Sequence, residues 1–221
     1  MAKTKNMLPI FPIPEVVMFP EMSLPLHIFE EKYKQLISDC LNADKQFGIV
    51  LEKGNNLCAK VGTLVEIIDV ENLEDGMMNV FTEGKKRFEI ISLLTEEPYS
   101  VAEIKPYEDT NTEVNNELKI FLKQIKQLAS KALKTFDLIS EEENSRKIKL
   151  PSKPDELLFL IATNLTCSHK EKQIILETRS IKDRAEKIMP LLTEEFQKLE
   201  VLLENKNTKK DVEKNGKLKI H

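Results

Sequence analysis

The apolar pattern of this chain changes near residue 110 from short strand-like runs to a long helical repeat. Over residues 47–107, short runs of apolar and β-branched residues are separated by turn signals such as Asp75-Gly76, which predicts strands and a hairpin. Over residues 114–136, apolar residues recur every 3.6 residues for about six turns, which predicts a long amphipathic helix. The sequence therefore predicts an α+β chain with a β-rich first half and a helical second half.

The first half opens with a proline-rich segment over residues 8–17. Proline has no N–H to donate to a neighbouring strand, so the segment predicts an edge strand that runs into a rigid, irregular stretch over residues 18–27. Apolar residues on one face then predict a helix over residues 28–41. Five strands follow, over residues 47–51, 63–73, 78–82, 85–93 and 99–104. Five or six short strands with close-spaced turns are the pattern of a small barrel or sandwich.

Three serines in the second half each stand three residues before an acid, which is the pattern of a helix N-terminus. Ser152, Ser168 and Ser180 predict helix starts near residues 153, 169 and 181. Ser168 with Glu171 fits the capping box best, because the motif is strongest with glutamate. Proline at position 190 is expected to kink or split the last helix.

These patterns divide the chain into four parts. An N-terminal extension, residues 1–7, precedes a β-barrel subdomain over residues 8–108 and a helical bundle subdomain over residues 109–205. The last part, residues 206–221, contains six lysines, one aspartate and one glutamate with few apolar residues. We therefore expect a disordered basic tail there.

The net charge of −4 is unevenly distributed. Residues 1–107 hold 11 lysines and arginines against 17 acids, a net of −6, whereas the other residues hold 22 against 20, a net of +2. Nucleic-acid binding usually rests on a basic patch, so the acidic β-rich half argues against it. The basic tail, six lysines against two acids and thus +4, keeps RNA as the alternative partner.

The cellular location is predicted from what the sequence lacks. No apolar run approaches the roughly 18–20 residues that span a bilayer. The lysines near the N-terminus are followed by prolines and Glu15 instead of the apolar core of a signal peptide. The three cysteines are scattered and odd in number, which fits reduced thiols. We expect a soluble cytoplasmic protein without membrane contact; the pattern does not indicate an oligomeric state.

No residue pattern indicates catalysis or a cofactor. Gly84-Lys85-Lys86 fails at both ends of the phosphate-loop motif G-x-x-x-x-G-K-[ST]. Cys167 and His169 lack a second ligand pair for a metal. The acids over residues 69–75 lack the spacing of a calcium loop and are interpreted as a solvated turn. We predict no catalytic, cofactor-binding or metal-binding residues, and a hydrolase with an unrecognised site is the least favoured hypothesis.

Several blocks, in order, resemble one known family. Residues 8–33 read Leu-Pro-Ile-Phe-Pro-Ile-Pro-Glu-Val-Val-Met-Phe-Pro-Glu-Met-Ser-Leu-Pro-Leu-His-Ile-Phe-Glu-Glu-Lys-Tyr. This block resembles the LPxFPLPxxVxFPGxxLPLHIFExRY run of the LON substrate-binding domain, with Glu21 in place of the frequent glycine and Lys32 where arginine is common. Residues 61–67, 84–88, 98–104 and 173–184 resemble the later VGTxxEI, GxxRF, PYxxAEV and QxLLE…xxxR elements.

The resemblance implies a PUA-like pseudobarrel followed by a helical bundle. In Lon proteases this region recognises unfolded or tagged substrates, and the ATPase and the Ser–Lys peptidase lie beyond it. The chain ends before either could begin, so the resemblance implies a stand-alone, non-enzymatic protein-binding module. We expect an adaptor that works with a protease, or a holdase for unfolded proteins. Within the motifs, His27 is interpreted as a hydrogen-bonded structural residue and Arg87 as a brace that pairs with a carboxylate.

Four methionines are the candidate substrate-binding residues. Met18, Met22, Met77 and Met78 fall in predicted loops or at the hairpin, and flexible thioethers suit adaptable apolar contacts. A receptor for an extended client needs an exposed apolar groove or an open strand edge. We expect the proline-rich first strand to leave such an edge beside these methionines.

Overall fold

The computed structural model describes residues 6–54, 57–74, 76–95, 97–110, 113–140 and 149–217. Within these ranges the chain folds into six strands and five helices, so the predicted α+β class is confirmed. The strands are β1 (Met7–Pro14), β2 (Ser23–Ile28), β3 (Gln46–Glu52), β4 (Val61–Asn72), β5 (Met78–Thr95) and β6 (Val101–Pro106). The helices are α1 (Glu31–Leu41), α2 (Asn116–Ser140), α3 (Pro154–Asn164), α4 (His169–Glu177) and α5 (Ile181–Lys217).

Five of the strands form a closed ring. The strand order is β2-β5-β4-β3-β1-β6, and β6 also pairs with β5, so β2 alone extends the sheet outside the ring. β1 and β3 are parallel, and the other pairs are antiparallel. Two clusters of buried apolar residues, one containing Phe47 and the other Phe88, form the core. The ring and its core match the expected pseudobarrel.

The position of β1 differs from the prediction. Met7–Pro9 pair with β6 and Ile10–Pro14 pair with β3, so β1 is an interior strand and the predicted edge strand at residues 8–17 is wrong. Each of these residues has its register partner on one side, so a proline can turn its nitrogen to the other side without losing a ladder hydrogen bond. The edge strand is β2.

The strands β2 and β5 also depart from the sequence-based expectation. Residues 23–28 form β2, whereas an irregular stretch up to residue 27 and a helix from residue 28 were expected, because Leu24, Leu26 and Ile28 alternate toward the core. The strands predicted over residues 78–82 and 85–93 are one strand, β5. Its pairing with β4 shifts at Lys85, which is the extra residue of a bulge and lets the long strand bend.

A close crossing fixes the loop between β1 and β2 against β5. The Glu21 N–H donates to the carbonyl oxygen of Gly84 at 2.8 Å, and the Gly84 N–H donates to that of Met22 at 2.8 Å. A Cβ atom on Gly84 would lie 2.2 Å from the carbonyl oxygen of Phe19, so glycine is required. Glu21 adopts φ = 62°, a left-handed conformation that favours glycine. This explains why the family pattern carries glycine at that position.

Contacts divide the chain into two compact units, Met1–Thr112 with Cys167–Ile181 and Glu113–Thr166 with Lys182–His221. The first unit contains the barrel, α1 and α4, and the second contains α2, α3 and nearly all of α5. The predicted division into a β-barrel subdomain over residues 8–108 and a helical bundle subdomain over residues 109–205 stays a prediction.

Arg87 joins α4 to the barrel within the first unit. Its side chain is 4% exposed, and its Nη2 donates to the carboxylate of Asp109. Its Nη1 donates to the carbonyl oxygens of Leu176 at 2.7 Å and Thr178 at 3.2 Å. These oxygens lie at the C-terminal end of α4, where a helix leaves acceptors unpaired and favours a cation. The interpretation of Arg87 as a brace that pairs with a carboxylate is confirmed.

The predicted helix starts in the second half are confirmed. Helices α3, α4 and α5 begin at residues 154, 169 and 181. The Ser168 hydroxyl accepts from the Glu171 N–H while the Glu171 carboxylate accepts from the Ser168 N–H, which completes the predicted capping box.

Helix α5 is longer than the sequence indicates. It continues without interruption through Pro190 to Lys217, beyond the helix end predicted at residue 205. One stabilising contact comes from Lys206, whose Nζ donates to the carbonyl oxygen of Ile139 at 2.5 Å, near the C-terminus of α2. Residues 1–5 of the predicted extension and residues 218–221 of the predicted tail lie outside the described residues.

Candidate functional site

The described side chains that could bind a metal or act as a nucleophile are dispersed in this fold. In the part of the chain that the structure describes, no three His, Cys, Asp or Glu side chains are arranged to hold a metal ion. Burial raises the pKa of the Cys40 thiol to about 12, and its Sγ donates to the carbonyl oxygen of Gln46 at 3.3 Å. Cys40 is therefore a protonated core residue at neutral pH.

The outer surface of β2, β5 and β4 carries three rows of side chains. β5 lies between β2 and β4, and alternate residues of the three strands point away from the core. The register defines the rows Ser23–Glu83–Glu66, Pro25–Phe81–Asp69 and His27–Asn79–Glu71. We call these nine residues, together with the bulged residues Ile68 and Lys85, the outer face.

The middle of the outer face is apolar, with Asp69 at its β4 end. Phe81 lies at its centre and is 42% exposed, and the exposed Pro25 is its register partner on β2. On the other side, a bulge in β4 inserts Ile68 beside Asp69, and Ile68 is 57% exposed. Three apolar side chains from sequence-distant positions therefore lie on adjoining strands and face the solvent, which is the kind of patch that contacts other molecules.

The first row brings two carboxylates together. Glu66 and Glu83 are register partners, and like charges directly opposite each other destabilise a sheet. The Lys85 ammonium lies 3.2 Å from Glu66 Oε2 and 2.7 Å from Glu83 Oε2, so it stabilises this pair. The hydrogen bond to Glu83 is the main reason that the pKa of Lys85 lies above its ordinary value.

The third row is a hydrogen-bonded chain across the three strands. His27 Nδ1 lies 2.9 Å from Asn79 Oδ1, and Asn79 Nδ2 donates to Glu71 Oε2 at 2.9 Å. His27 is therefore hydrogen-bonded, as predicted. The row fixes the side chains of all three residues, including the exposed carboxylate of Glu71.

The free edge of β2 is poorly suited to accept an added strand. The Gly84 N–H donates to the carbonyl oxygen of Met22, and in an antiparallel pair the bonded positions alternate. The backbone of Leu24 and Leu26 is thus directed toward β5, and that of Pro25 toward the free edge, where Pro25 offers no N–H. A ligand of this region is therefore expected to lie on the outer face and not to extend the sheet.

The four candidate methionines occupy different positions. Met18 is 2% exposed and belongs to the core cluster around Phe47, and the half-buried Met22 and Met78 pack against the same cluster. Met77 follows the turn at Gly76 and is half-buried. Three of the four thus lie in the core or pack against it, and Met18 presents no side-chain surface to a ligand in this conformation. A substrate-binding role for them stays a prediction.

The sequence alone did not single out Phe81, Ile68 or Pro25. Phe81 lies inside a predicted strand, but the side of the sheet that it faces depends on the register with β2 and β4. Ile68 faces outward because of a bulge. The signal that was available is the alternation of residues 79–83, in which polar Asn79 and Glu83 share a side with Phe81.

Comparison with known proteins identifies the family. The model of the ATP-dependent protease La (LON) substrate-binding domain matches residues 7–194. The chain belongs to this family. The resemblance inferred from the proline-rich block is therefore confirmed, and the match supports a substrate-recognition module of the Lon type.

The curated relatives are longer proteins. The Lon protease of Flavobacterium johnsoniae is 32% identical over 202 residues, which cover 88% of this chain and 25% of that protein. The Lon protease of Dictyoglomus thermophilum is 29% identical over 219 residues, which cover 96% of this chain and 27% of that protein. The chain thus spans about a quarter of the length of the relatives that it matches.

Two solved structures share the fold. The Lon N-terminal domain protein from Xanthomonas campestris has a TM-score of 0.63 and 21% identity, and the match covers 84% of this chain and 98% of that one. The N-terminal domain of the Mycobacterium avium complex Lon protease has a TM-score of 0.68 and 15% identity, covering 85% and 98%. Among the helices within the described ranges, none has the length and apolarity needed to cross a membrane.

Proposed function

We propose that this chain binds unfolded or tagged protein segments through the outer face and catalyses no reaction itself. The observation that carries the proposal is the exposed pair Phe81 and Ile68, on adjoining strands of a sheet whose other side is fixed by the core. A rigid scaffold lowers the conformational entropy lost on binding. The membership in the LON substrate-binding family supports the same role.

The proposed cellular role is that of an adaptor for a protease or of a holdase, in the cytoplasm. RNA binding is the less favoured alternative, because four of the outer-face residues are acids and its lysine is paired with two of them. An aggregation assay with thermally unfolded citrate synthase distinguishes a holdase from an adaptor. A holdase suppresses light scattering by itself, whereas an adaptor accelerates degradation only when a Lon protease is added.

Binding is measured by fluorescence anisotropy with labelled, reduced and carboxymethylated α-lactalbumin. We expect saturable binding of this unfolded protein, weak binding of native lactalbumin, and neither ATP hydrolysis nor casein cleavage by the purified chain. The affinities of the Met77→Ser/Met78→Ser double variant and of Phe81→Ser for the unfolded protein are compared, with circular dichroism as the folding control. Weaker binding by the methionine variant supports the methionine prediction, and weaker binding by Phe81→Ser supports the outer face. Absence of binding to the unfolded protein, or turnover that survives rigorous purification, contradicts the proposal.

A further inference from the structure

The outer face combines an apolar centre with an excess of negative charge. Its ionised groups are the carboxylates of Glu66, Glu83, Asp69 and Glu71 against the ammonium of Lys85. The first two carboxylates share that ammonium at 3.2 and 2.7 Å. Most of the uncompensated negative charge therefore belongs to Asp69 and Glu71, on the β4 side of Phe81.

Asp69 and Glu71 are exposed and held in place by hydrogen bonds that leave their charge intact. Asp69 Oδ1 accepts from the Val70 N–H at 2.9 Å, and Glu71 Oε2 accepts from Asn79 Nδ2 at 2.9 Å. Among the described residues, neither carboxylate forms an ion pair. Hydrogen bonds from neutral donors orient a carboxylate without neutralising it, so both remain available to a cation.

The spacing of these groups fits an extended polypeptide. Side chains on one side of an extended chain repeat every two residues, at roughly 6.5–7 Å. Phe81 and Asp69 are register partners, and Glu71 lies two residues beyond Asp69 on the same strand. An apolar side chain over Phe81 and Ile68 therefore places a lysine or arginine, two residues away, within reach of Glu71.

From this complementarity we propose that the outer face selects apolar segments flanked by lysine or arginine, in unfolded polypeptides. The inference rests on the proposed function and specifies its substrate class. Phe81 and Ile68 contact the apolar residues of the segment, and Asp69 and Glu71 contact its flanking cations. Segments with the same apolar residues but flanking acids bind weakly, because they are repelled by the same carboxylates.

The test uses the whole chain and three fluorescein-labelled peptides that share one apolar sequence. The peptides carry pairs of lysine, glutamine or glutamate on each side of it, and Kd is measured by anisotropy at 20 and 300 mM NaCl. The variants are Asp69→Asn/Glu71→Gln, which keeps the hydrogen bonds, and Phe81→Ser, with Ile68→Ser as a second apolar variant. Ile120→Ser, which alters a side chain that is 61% exposed on α2, is the matched control.

At low salt, the lysine-flanked peptide is expected to bind about tenfold more tightly than the glutamate-flanked one, since an exposed ion pair contributes a factor of about two to five. The ratio shrinks at high salt because the charges are screened. The Asp69→Asn/Glu71→Gln variant reduces the ratio to below about threefold and leaves the glutamine-flanked peptide unaffected. Phe81→Ser and Ile68→Ser weaken the binding of all three peptides, and Ile120→Ser weakens none.

Equal binding of the three peptides, or a preference that persists in the Asp69→Asn/Glu71→Gln variant, overturns the inference. If unfolded lactalbumin still binds in that case, the proposed function stands and only its charge selectivity fails. If neither lactalbumin nor any peptide binds, the proposed function fails as well. Self-association in sedimentation velocity that Phe81→Ser abolishes would show that a second copy occupies the outer face, and would also overturn the inference.

Discussion

Replacing Arg87 by methionine tests whether the buried ion pair holds α4 on the barrel. The substitution leaves the Asp109 carboxylate, whose side chain is 14% exposed, without its cation. It also removes the donor to the carbonyl oxygens of Leu176 and Thr178. Breaking a buried ion pair by removing one partner costs about 3–5 kcal/mol. At about 2–4 °C per kcal/mol for a chain of this size, Arg87→Met should lower the Tm by roughly 6–20 °C.

The assay combines urea unfolding, followed by circular dichroism, with hydrogen exchange of the peptide that covers residues 169–177. Local detachment of α4 should accelerate exchange in this peptide before the strands of the barrel are affected. Asp109→Asn keeps an acceptor for Arg87 but leaves the buried guanidinium without its anion, so it should cost less than Arg87→Met, about 1.5–3 kcal/mol. The Arg87→Met/Asp109→Leu double variant removes both charges, and its loss should fall at least about 1 kcal/mol short of the sum of the losses measured for Arg87→Met and Asp109→Leu alone.

A loss below about 1 kcal/mol for Arg87→Met would show that the pair behaves like a solvent-exposed one and does not hold α4 on the barrel. Unchanged hydrogen exchange over α4 would show the same. Additive losses in the double variant would show that Arg87 and Asp109 act independently.

Three further predictions concern the backbone of Glu21 and the burial of Cys40. Glu21→Gly should raise the free energy of unfolding by up to about 1 kcal/mol, because it relieves the left-handed backbone at φ = 62°. The control Glu31→Gly, in the first turn of α1, should lower the free energy of unfolding by about 1 kcal/mol. Urea unfolding curves in which both changes have the same sign would contradict this prediction. The Cys40 thiol, with a pKa near 12, should resist iodoacetamide at pH 8 until the chain is unfolded in urea. Because this folded-state pKa exceeds the ordinary value of 9.0, ionisation favours the unfolded chain, and Cys40 should reduce stability as the pH rises from about 9 to 12. Rapid native-state alkylation of Cys40, located by peptide mapping, would show that the side chain is accessible.

The sequence predicted those helices that are determined by residues close to one another in the chain. The capping box of Ser168 with Glu171 and the 3.6-residue repeat of α2 each depend on a few neighbouring residues, and both elements occur where the sequence places them. The identity of the edge strand depends on long-range pairing. The prolines of β1 suggested an edge, but its partners β3 and β6 begin about 40 and 90 residues later and leave each proline a free side.

The candidate site also depends on strand pairing between residues that are distant in the sequence. Pro25, Ile68 and Phe81 come from three strands, and only the register and the bulge in β4 bring them to one surface. The methionine prediction rested on the flexibility of the methionine side chain and on predicted loops, whereas Met18 is buried in the core. An apolar residue in a strand points to the core or to the solvent according to a one-residue shift in register, which a single sequence does not specify.

The most direct test of the account is hydrogen exchange of the whole chain with and without saturating unfolded lactalbumin. We expect the client to slow exchange in the peptides that cover β2, the second half of β4 and the first part of β5, residues 23–28, 66–72 and 78–83, and to leave α2 and α5 unchanged. Phe81→Ser should abolish this protection at the same client concentration. Protection confined to residues 116–140 and 182–206, with none on the outer face, would contradict the account.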